Sequence, residues 1–495
     1  MDYAKLQNGS DIRGVAMPGV EGEDVNLTRQ AVEHIAGGFI RWLRGKRGGE
    51  GPLRVAMGRD SRLSGEEIAG WMGAAMAQRG ALVTDMGLAT TPAMFMTTVT
   101  EGYAFDGAVM ITASHLPWNR NGLKFFTAAG GAESSDIKDI LAGPGEDVPA
   151  AGGKVERGEF MGVYAAMLRD KVRAAAGKER PLEGCRIVVD AGNGAGGFYA
   201  SDVLSPLGAD VTGSVYLQPD GHFPNHVPNP EDGAAMDSIR AAVLESGADL
   251  GIIFDTDVDR AGAVLRSGEE LNRNRLIALI AAIVLREHPG TTIVTDSVTS
   301  TGLAEFIARR GGVHRRFRRG YRNVINEGLR LNALGQDCQL AIETSGHAAM
   351  KENYFLDDGA YLVTRFVIEM ACGRSLESLV TDLAEPAESR EFRMRITEPD
   401  FKAAGERVLA ALERYAAAQP GWSVAPDNFE GVRVNLDAGH GSGWFLLRLS
   451  LHDPILPLNV ESDVSGGLRR IARELAPFMA GQQGVDVSAL LECAL

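Results

Sequence analysis

One short segment of the sequence brings together a hydroxyl, an imidazole and an amine. Ser114, His115 and Lys124 follow the apolar run 107–111, which predicts a short buried strand. Open α/β sheets usually place their chemistry in loops at strand ends. Because serine is a weak nucleophile without help, His115 or Lys124 is a candidate for taking its proton. A turn that only caps the next element is the alternative interpretation.

Three aspartates at alternate positions form a second segment with chemical potential. Asp255, Asp257 and Asp259 directly follow the apolar run 250–254. Because residues two apart in an extended segment point the same way, the three carboxylates would face one point. That crowding is unfavourable without a cation, and all-oxygen ligands suit Mg²⁺. A calcium-binding EF-hand does not fit, since Arg260 stands where its glycine is required. A solvated acidic turn remains open.

The elements around these segments predict an α/β protein. Apolar strands alternate with helical stretches such as 236–244 and 301–309, which favours βαβ units and mostly parallel sheets. After about residue 374 this rhythm changes to a helix and short strands. The predicted fold class is α/β: three related mixed or parallel-sheet α/β domains plus a smaller C-terminal α+β domain around a central cleft. The predicted domain boundaries are 1–152, 153–265, 266–373 and 374–495.

Length and composition fit a globular protein of three or four domains. The chain has 495 residues, of which 45% are hydrophobic and 23% charged. A net charge of -15 without a compensating basic face argues against nucleic-acid binding. Four cysteines without metal or redox spacing favour a reduced, cytoplasmic location. The N-terminus lacks the apolar core of a signal peptide. The longest apolar run, 276–285, is too short to span a bilayer, so no membrane partner is expected.

The serine segment resembles the catalytic loop of the α-D-phosphohexomutases. Thr-Ala-Ser-His at 112–115 and Asn-Gly-Leu-Lys at 121–124 match that loop, with Leu116 in place of an asparagine. Residues 255–260 resemble the family's Asp-Gly-Asp-Gly-Asp-Arg metal loop, but Thr256 and Val258 replace both glycines. Any backbone angle that only glycine reaches easily would then have to change.

Three further segments support the resemblance, which extends over essentially the whole chain. Residues 11–14 resemble a segment that lines the family's site, although a surface turn is possible. Residues 343–347 resemble its sugar-recognition loop, and 320–323 a loop that orients sugars, although a polar turn and a solvated basic stretch are alternatives. Residues 448–454 correspond to its phosphate loop, with the middle altered at Leu451, His452 and Asp453.

The resemblance implies a phosphohexomutase, an isomerase that interconverts hexose 1-phosphate and hexose 6-phosphate. Mannose and glucose phosphates are the expected substrates, exchanged through phosphorylated Ser114 and a bisphosphorylated sugar. It implies Mg²⁺ as cofactor, hexose 1,6-bisphosphate as activator, sugar phosphates as ligands, and a monomer or homodimer. The implied catalytic residues are Ser114, His115, Lys124 and Arg13, and the implied metal ligands are Ser114, Asp255, Asp257 and Asp259. The implied substrate-binding residues are Arg260, Gly320, Tyr321, Arg322, Glu343, Ser345, His347, Arg448, Ser450 and His452.

Other interpretations have specific motivations. A phosphoglucosamine mutase is the nearer alternative, and a phosphosugar-binding protein without turnover is suggested by the altered loop at 451–453. A serine phosphatase has little support, since nothing in the sequence positions a hydrolytic water. Residues 192–197 satisfy the Gly-x-Gly-x-x-Gly dinucleotide pattern, but no clear acidic strand end follows, and the mutases use similar glycines for packing. NAD is therefore not predicted. Residues 58–62 are interpreted as architectural.

Overall fold

The chain forms two compact units, and both are discontinuous in sequence. The computed structural model of the protein describes residues 2–49, 51–145, 152–426, 428–450 and 453–495. The first unit comprises Met1–Ile280 and Ser345–Leu379, and the second comprises Ala281–Thr344 and Val380–Leu495. The predicted fold class is confirmed, since mixed sheets with helices precede a C-terminal antiparallel sheet. The four domain boundaries stay a prediction.

The N-terminal sheet has the order β1-β2-β6-β5-β3-β4-β8, with β7 paired to β6. Its strands are β1 (Gln7–Asn8), β2 (Asp11–Val15), β3 (Arg54–Arg59), β4 (Leu82–Leu88), β5 (Gly107–Ile111), β6 (Arg120–Thr127), β7 (Gly130–Gly131) and β8 (Lys154–Arg157). Its helices are α1 (Arg29–Arg47), α2 (Gly65–Ala77), α3 (Thr91–Met96), α4 (Ser134–Leu141) and α5 (Met161–Ala176). The β3 strand runs parallel to β4 and β5, whereas β6 is antiparallel to β5 and β2.

The α1 helix shows why this layer forms. Thr28 caps its first turn by accepting a hydrogen bond from the backbone N–H of Ala31. Its buried apolar side chains, including Ile35 and Phe39, recur at helical spacing and form one face that packs into the core. Gly48, at φ +66°, ends it.

The second sheet delivers the aspartate segment. It contains β9 (Ile187–Asp190), β10 (Leu250–Phe254), β11 (Ala261–Leu265) and β12 (Glu270–Leu271), in the order β12-β11-β10-β9. In sequence, α6 (Gly233–Ser246) lies between β9 and β10, and α7 (Arg273–Glu287) follows β12. The β10 strand is parallel to β9 but antiparallel to β11. Residues 255–260 are therefore the turn of a β-hairpin.

The next elements are divided between the two units. The second unit holds β13 (Thr292–Thr295), α8 (Thr301–Arg309), β14 (Val313–Arg316), α9 (Tyr321–Ala333) and β15 (Cys338–Ile342), with β13 parallel to both β14 and β15. In the first unit, β16 (Ala348–Met350) and β17 (Leu356–Asp357) form an antiparallel pair before α10 (Gly359–Ala371). The short α11 (Leu376–Val380) follows.

The C-terminal part of the chain is a wholly antiparallel sheet covered by helices. Its strands are β18 (Glu388–Arg395), β19 (Trp422–Val424), β20 (Val432–Leu436), β21 (Gly443–Leu447) and β22 (Ile455–Ser462), in the order β18-β22-β21-β20-β19. Its helices are α12 (Phe401–Ala417), α13 (Gly467–Ala480) and α14 (Ser488–Ala494). Apolar residues of α12 and α13 form one core with this sheet.

One alternative and one expectation from the sequence do not hold. Residues 11–14 are not a surface turn, because Asp11–Val15 is a strand paired with β6. The first two sheets are mixed rather than mostly parallel, because short hairpins return the chain beside the strand it has just left. No described helix has the length and apolar character needed to cross a membrane.

Candidate active site

The serine segment is a loop held by side chains from its own sheet. The Thr112 hydroxyl donates to the Asp60 carboxylate at 2.7 Å and accepts from the Ser114 backbone N–H at 2.9 Å. Ser114 has φ +52°, a left-handed conformation that is uncommon outside glycine. Such strain persists only when surrounding contacts enforce it, and it concentrates at functional sites.

Arg62 supplies many of those contacts. Its buried guanidinium donates to the carbonyls of Leu116 at 2.6 Å, Pro117 at 2.9 Å and Arg120 at 2.8 Å. It also donates to the carbonyl of Ser114 itself. Asp60 lies 3.4 Å from the Arg62 guanidinium and compensates part of its charge. Burial raises the pKa of Asp60 to about 6, although Arg62 opposes that shift. One arginine therefore fixes the path of the whole loop.

The Ser114 hydroxyl lies between opposite charges. Its Oγ donates to the Asp255 carboxylate at 3.0 Å and accepts from the Arg260 guanidinium at 2.7 Å. Arg260 also donates to His115 Nδ1 at 2.5 Å, and His115 Nδ1 lies 3.3 Å from Oγ. Burial, with Arg260 and Arg13 nearby, lowers the pKa of His115 to about 3, so its ring is a neutral acceptor here.

The three aspartates converge as the sequence predicts. Asp255, Asp257 and Asp259 are buried, and each offers a carboxylate oxygen within 4.8 Å of the other two. We call these three residues the acidic centre. Burial and the neighbouring Asp259 carboxylate raise the pKa of Asp255 well above its usual range. Burial would also raise the pKa of Asp259, but Lys124, His347 and Arg260 together lower it.

Cationic side chains surround the acidic centre. The Lys124 ammonium donates to Asp257 at 3.0 Å and also to Asp259. His347 Nδ1 lies 3.9 Å from Asp259 and 2.8 Å from Asp357. Burial alone would lower the pKa of His347, but the two carboxylates raise it to about 9. These contacts bring Ser114, His115, Lys124, the aspartates, Arg260 and His347 into one cluster within the first unit.

The acidic centre also has the donor set of a divalent-cation site. Among the residues that the structure describes, none donates a hydrogen bond to Oδ1 of Asp257 or Oδ1 of Asp259, although both atoms are buried. Buried carboxylate oxygens without partners are costly. An ion with all-oxygen coordination would satisfy both oxygens and screen the crowded charges, so the residues fit Mg²⁺.

Val258 keeps an unusual backbone angle in this hairpin turn. It has φ +66° although it is β-branched and fully buried. Its carbonyl accepts a hydrogen bond at 3.0 Å from the N–H of Gly359, the first residue of α10. The expected change of backbone angle is therefore absent at this position. The valine adopts a conformation that glycine reaches easily.

Glycines allow other segments to approach the same turn closely. A Cβ on Gly194 would lie 2.7 Å from the Thr256 backbone, and one on Gly359 would lie 2.6 Å from the Arg260 backbone. Gly346, at φ +93°, would bring a Cβ within 2.5 Å of the Ala261 carbonyl. The glycine at 194 thus serves close packing, in agreement with the interpretation of residues 192–197 from the sequence.

Arg13 and Ser345 also belong to the first unit. Arg13 pairs with Asp11 at 3.0 Å, and its charge contributes to the lowered pKa of His115. Ser345 is buried. The carbonyl of the next residue, Gly346, accepts a hydrogen bond from the Ala261 N–H.

The remaining predicted site residues belong to the second unit. The Gly320 N–H donates to the Glu343 carboxylate at 2.7 Å, and Tyr321 and Arg322 begin α9. Arg448 follows β21, and Ser450 Oγ accepts from the N–H of Asp453 at 3.2 Å. His452 and Leu451 lie outside the described residues. That all these loops share one cleft stays a prediction.

Comparison with known proteins identifies the family. Three domain models described as phosphoglucomutase/phosphomannomutase, alpha/beta/alpha domains I, II and III, match residues 4–143, 163–268 and 272–387. The chain belongs to the phosphoglucomutase/phosphomannomutase family. The predicted family and the prediction of an isomerase-type phosphotransferase are confirmed.

Individual relatives in this family match most of the chain. A phosphomannomutase/phosphoglucomutase of Pseudomonas putida is 31% identical over 85% of this chain and 86% of its own. A phosphoglucomutase of Neisseria gonorrhoeae is 29% identical over 93% and 94%. The crystal structure of a phosphoglucomutase/phosphomannomutase family protein from Burkholderia thailandensis has a TM-score of 0.78 and 25% identity, and covers 98% of this chain and 99% of that one.

Three residues near this family site escaped the reasoning from sequence. Thr91 donates to Asp257 at 2.5 Å, Asp357 pairs with His347, and Arg62 fixes the serine loop. In the sequence, Thr91 is typical of the start of a helix and Asp357 is one of two adjacent aspartates. No pattern therefore indicates that either residue belongs to the site. Only the interpretation of 58–62 as architectural pointed to Arg62.

Proposed function

We propose that the protein interconverts hexose 1-phosphates and hexose 6-phosphates, with mannose and glucose phosphates preferred. The main support is the environment of the Ser114 hydroxyl. Asp255 and Arg260 both form hydrogen bonds with this hydroxyl, beside the buried acidic centre. The family assignment and the names of the relatives support the same substrates. Cytoplasmic location and a monomer or homodimer stay predictions.

In this proposal Ser114 carries a phosphoryl group and exchanges it with the sugar phosphate. Arg260 can neutralise charge on that group, because its guanidinium already contacts Oγ at 2.7 Å. Lys124 and His115 are the candidates for moving the proton of the sugar hydroxyl. Lys124 is an ammonium donor held by two carboxylates, and His115 offers an acceptor nitrogen beside Oγ.

Asp255, Asp257, Asp259 and a phosphorylated Ser114 would hold Mg²⁺. When bound, the ion would neutralise charge on the transferring phosphoryl group. Oδ1 of Asp257 and Oδ1 of Asp259, which accept no hydrogen bond from the described residues, support this assignment. Hexose 1,6-bisphosphate is the proposed activator, because it would phosphorylate Ser114 in enzyme that has lost its phosphoryl group.

The substrate-binding residues are proposed from the family loops. Glu343 and Ser345 offer acceptors for sugar hydroxyls, and Gly320, Tyr321, Arg322 and His347 belong to the same assignment. Arg448 and Ser450 would hold the distal phosphate through a guanidinium and a hydroxyl. Burial lowers the pKa of Arg448, consistent with a cation that gains from an anionic partner. His452 completes the proposed set.

A mutase assay tests the proposal. Glucose 1-phosphate, mannose 1-phosphate and glucosamine 1-phosphate are supplied with Mg²⁺ and a bisphosphate activator, and Ser114→Ala is run beside the native enzyme. Turnover of glucose or mannose phosphate that is lost in Ser114→Ala is expected. Preference for glucosamine 1-phosphate would instead identify a phosphoglucosamine mutase. Binding without turnover, from protein that carries phosphate on Ser114, would identify a sugar-phosphate-binding protein.

A further inference from the structure

A cavity in the second unit is lined by four arginines. It has a volume of about 530 Å³, within the range of small-molecule sites. Its arginines are Arg315 and Arg316 on β14, Arg330 on α9 and Arg433 on β20, and His314 on β14 also lines it. We call this the arginine cavity. Leu331 and Leu334 of α9 add an apolar wall.

These four guanidinium groups have few direct counter-charges. Arg315 and Arg330 share one carboxylate, that of Glu327, at 3.1 Å and 2.7 Å. Arg316 donates to the Ser300 carbonyl at 2.7 Å, and Arg433 to the Ser297 carbonyl at 2.9 Å. Within the described part of the chain, neither of these two guanidinium groups has a carboxylate in ion-pair contact. Four cations therefore share one directly paired anion.

Arg433 shows the imbalance most clearly. It is 4% exposed and stacks on the Trp444 ring with 3.6 Å between its guanidinium carbon and the ring centroid. Its second terminal nitrogen is buried without a hydrogen-bond partner among the residues described. Burial and the nearby Arg316 charge lower the pKa of Arg433 well below its usual range, although Glu461 and Asp296 act in the opposite direction. A bound anion would accept a hydrogen bond from the buried nitrogen and would offset the cost of burying the Arg433 charge near Arg316.

The arginine cavity is separate from the loop that the family resemblance assigns to sugar recognition. That loop lies at the N-terminal end of α9, at Gly320–Arg322, whereas Arg330 and Leu334 lie at its C-terminal end. Arg330 is nine positions after Tyr321, which is about 14 Å along a helix. The part of the cavity formed by Arg330 and Leu334 therefore lies outside that loop, whereas Arg316 on β14 is four residues before Gly320.

We propose that the arginine cavity is a second anion site, which binds the phosphate group of a small phosphorylated molecule. Planar guanidinium groups match phosphate oxygens and bind them through paired hydrogen bonds. A phosphate dianion also balances more of the clustered charge than a single carboxylate does. The leucines can pack against the uncharged part of the ligand.

Titration of the full chain with inorganic phosphate at constant ionic strength tests this proposal. The background is Arg448→Gln, which weakens the phosphate site proposed for substrate. Adding Arg330→Gln is expected to reduce the remaining phosphate affinity about tenfold, because a charge-assisted contact is lost. Arg309→Gln is the matched control, since Arg309 is similarly exposed on a helix of the same unit and also faces a glutamate.

Each outcome of the phosphate titration either supports or overturns the proposed site. Loss of affinity in Arg330→Gln and in Arg315→Gln, with Arg309→Gln unchanged, supports the site. Using both variants guards against one that folds poorly, which circular dichroism would reveal. Equal phosphate affinity in all variants, or no binding in the Arg448→Gln background, overturns the proposal. Tighter binding of citrate than of phosphate would overturn the assignment to a phosphate group.

Discussion

The acidic centre of the first unit and the arginine cavity of the second are charge clusters of opposite sign. Three carboxylates in the acidic centre are surrounded by Lys124, Arg260 and His347. Of the four arginines in the cavity, Arg315 and Arg330 share the carboxylate of Glu327. Nearly every charge in the first cluster has an opposite neighbour, whereas Arg316 and Arg433 in the second have only neutral acceptors among the residues that the structure describes. The first cluster is thus largely pre-organised by the protein, and the second depends more on a ligand.

The largest expected effect is a difference in stability between variants of two buried arginines, Arg62 and Arg433. Arg62→Gln should lower the free energy of unfolding by about 3–5 kcal/mol, because it breaks a buried ion pair and releases four carbonyls. Arg433→Gln should cost only about 1–2 kcal/mol, because Arg433 has no direct ion pair with a described residue. Urea unfolding of both variants measures the difference. Equal losses would contradict the contrast drawn between the two clusters.

The next effect concerns cation binding by the acidic centre. Asp257→Asn should reduce Mg²⁺ affinity and turnover by about 100-fold, since even outer partners of metal ligands contribute about 10- to 100-fold. The rise in melting temperature on adding Mg²⁺ measures binding independently of activity. Asp170→Asn, on the exposed face of α5, is the control. An unchanged Mg²⁺ response in Asp257→Asn would remove this residue from the metal site.

A smaller, pH-dependent effect is expected near the arginine cavity. Burial raises the pKa of Glu461 from 4.5 to about 7, although Arg433 opposes this shift. A carboxyl whose folded pKa is raised contributes stability that is complete below about pH 4.5 and lost as pH rises through 7. Glu461→Gln, which keeps an acceptor for the Trp444 N–H, should therefore gain stability over the native protein by about 1–2 kcal/mol more at pH 8 than at pH 4.5.

Melting temperatures of the native protein and of Glu461→Gln at the two pH values test whether the gain in stability is larger at the higher pH. A gain for Glu461→Gln that is larger at low pH would show that Glu461 is held ionised by Arg433 and Arg316.

The smallest effect is at Val258, whose backbone is left-handed. Both Val258→Gly and Val258→Ala lose buried methyl groups, but only glycine relieves the φ +66° conformation. Glycine should therefore be less destabilising than alanine by about 0.5–1 kcal/mol. This reverses the order expected in ordinary strands and helices. Urea unfolding of the two variants decides it, and a more stable alanine variant would show that the strain at Val258 is negligible.

Much of the fold was predictable because local patterns agree with the tertiary structure. The apolar runs 107–111 and 250–254 are the strands β5 and β10, and the helix predicted over 301–309 is α8. The run 276–285, which is too short to span a bilayer, is buried within α7. In each case hydrophobic patterning and burial favour the same element. The hairpins that make the sheets mixed escaped prediction, because their long turns at 112–119 and 255–260 lack the two-residue signature of a tight hairpin.

The candidate site was predictable only where residues of one kind cluster in sequence. The three aspartates and the Ser114–His115 pair are local patterns, and the structure brings them together. Arg62 and Asp357 act on these residues from distant parts of the chain. Their roles depend on burial and on long-range contacts, which one sequence does not encode at identifiable spacing. The arginine cavity escaped for the same reason, since β14, α9 and β20 contribute to it separately.

The discontinuity of the first unit has a consequence during synthesis on the ribosome. Residues 345–379, which supply β16, β17 and α10, complete a unit whose other part ends at Ile280. About 100 residues must therefore be translated before that unit can close, which takes roughly 5–20 s at typical translation rates. During this interval the hairpin turn at 255–260 lacks the Gly359 and His347 contacts. Nascent chains stalled shortly after Ile280 should consequently be more sensitive to protease at this turn than chains stalled well beyond Leu379.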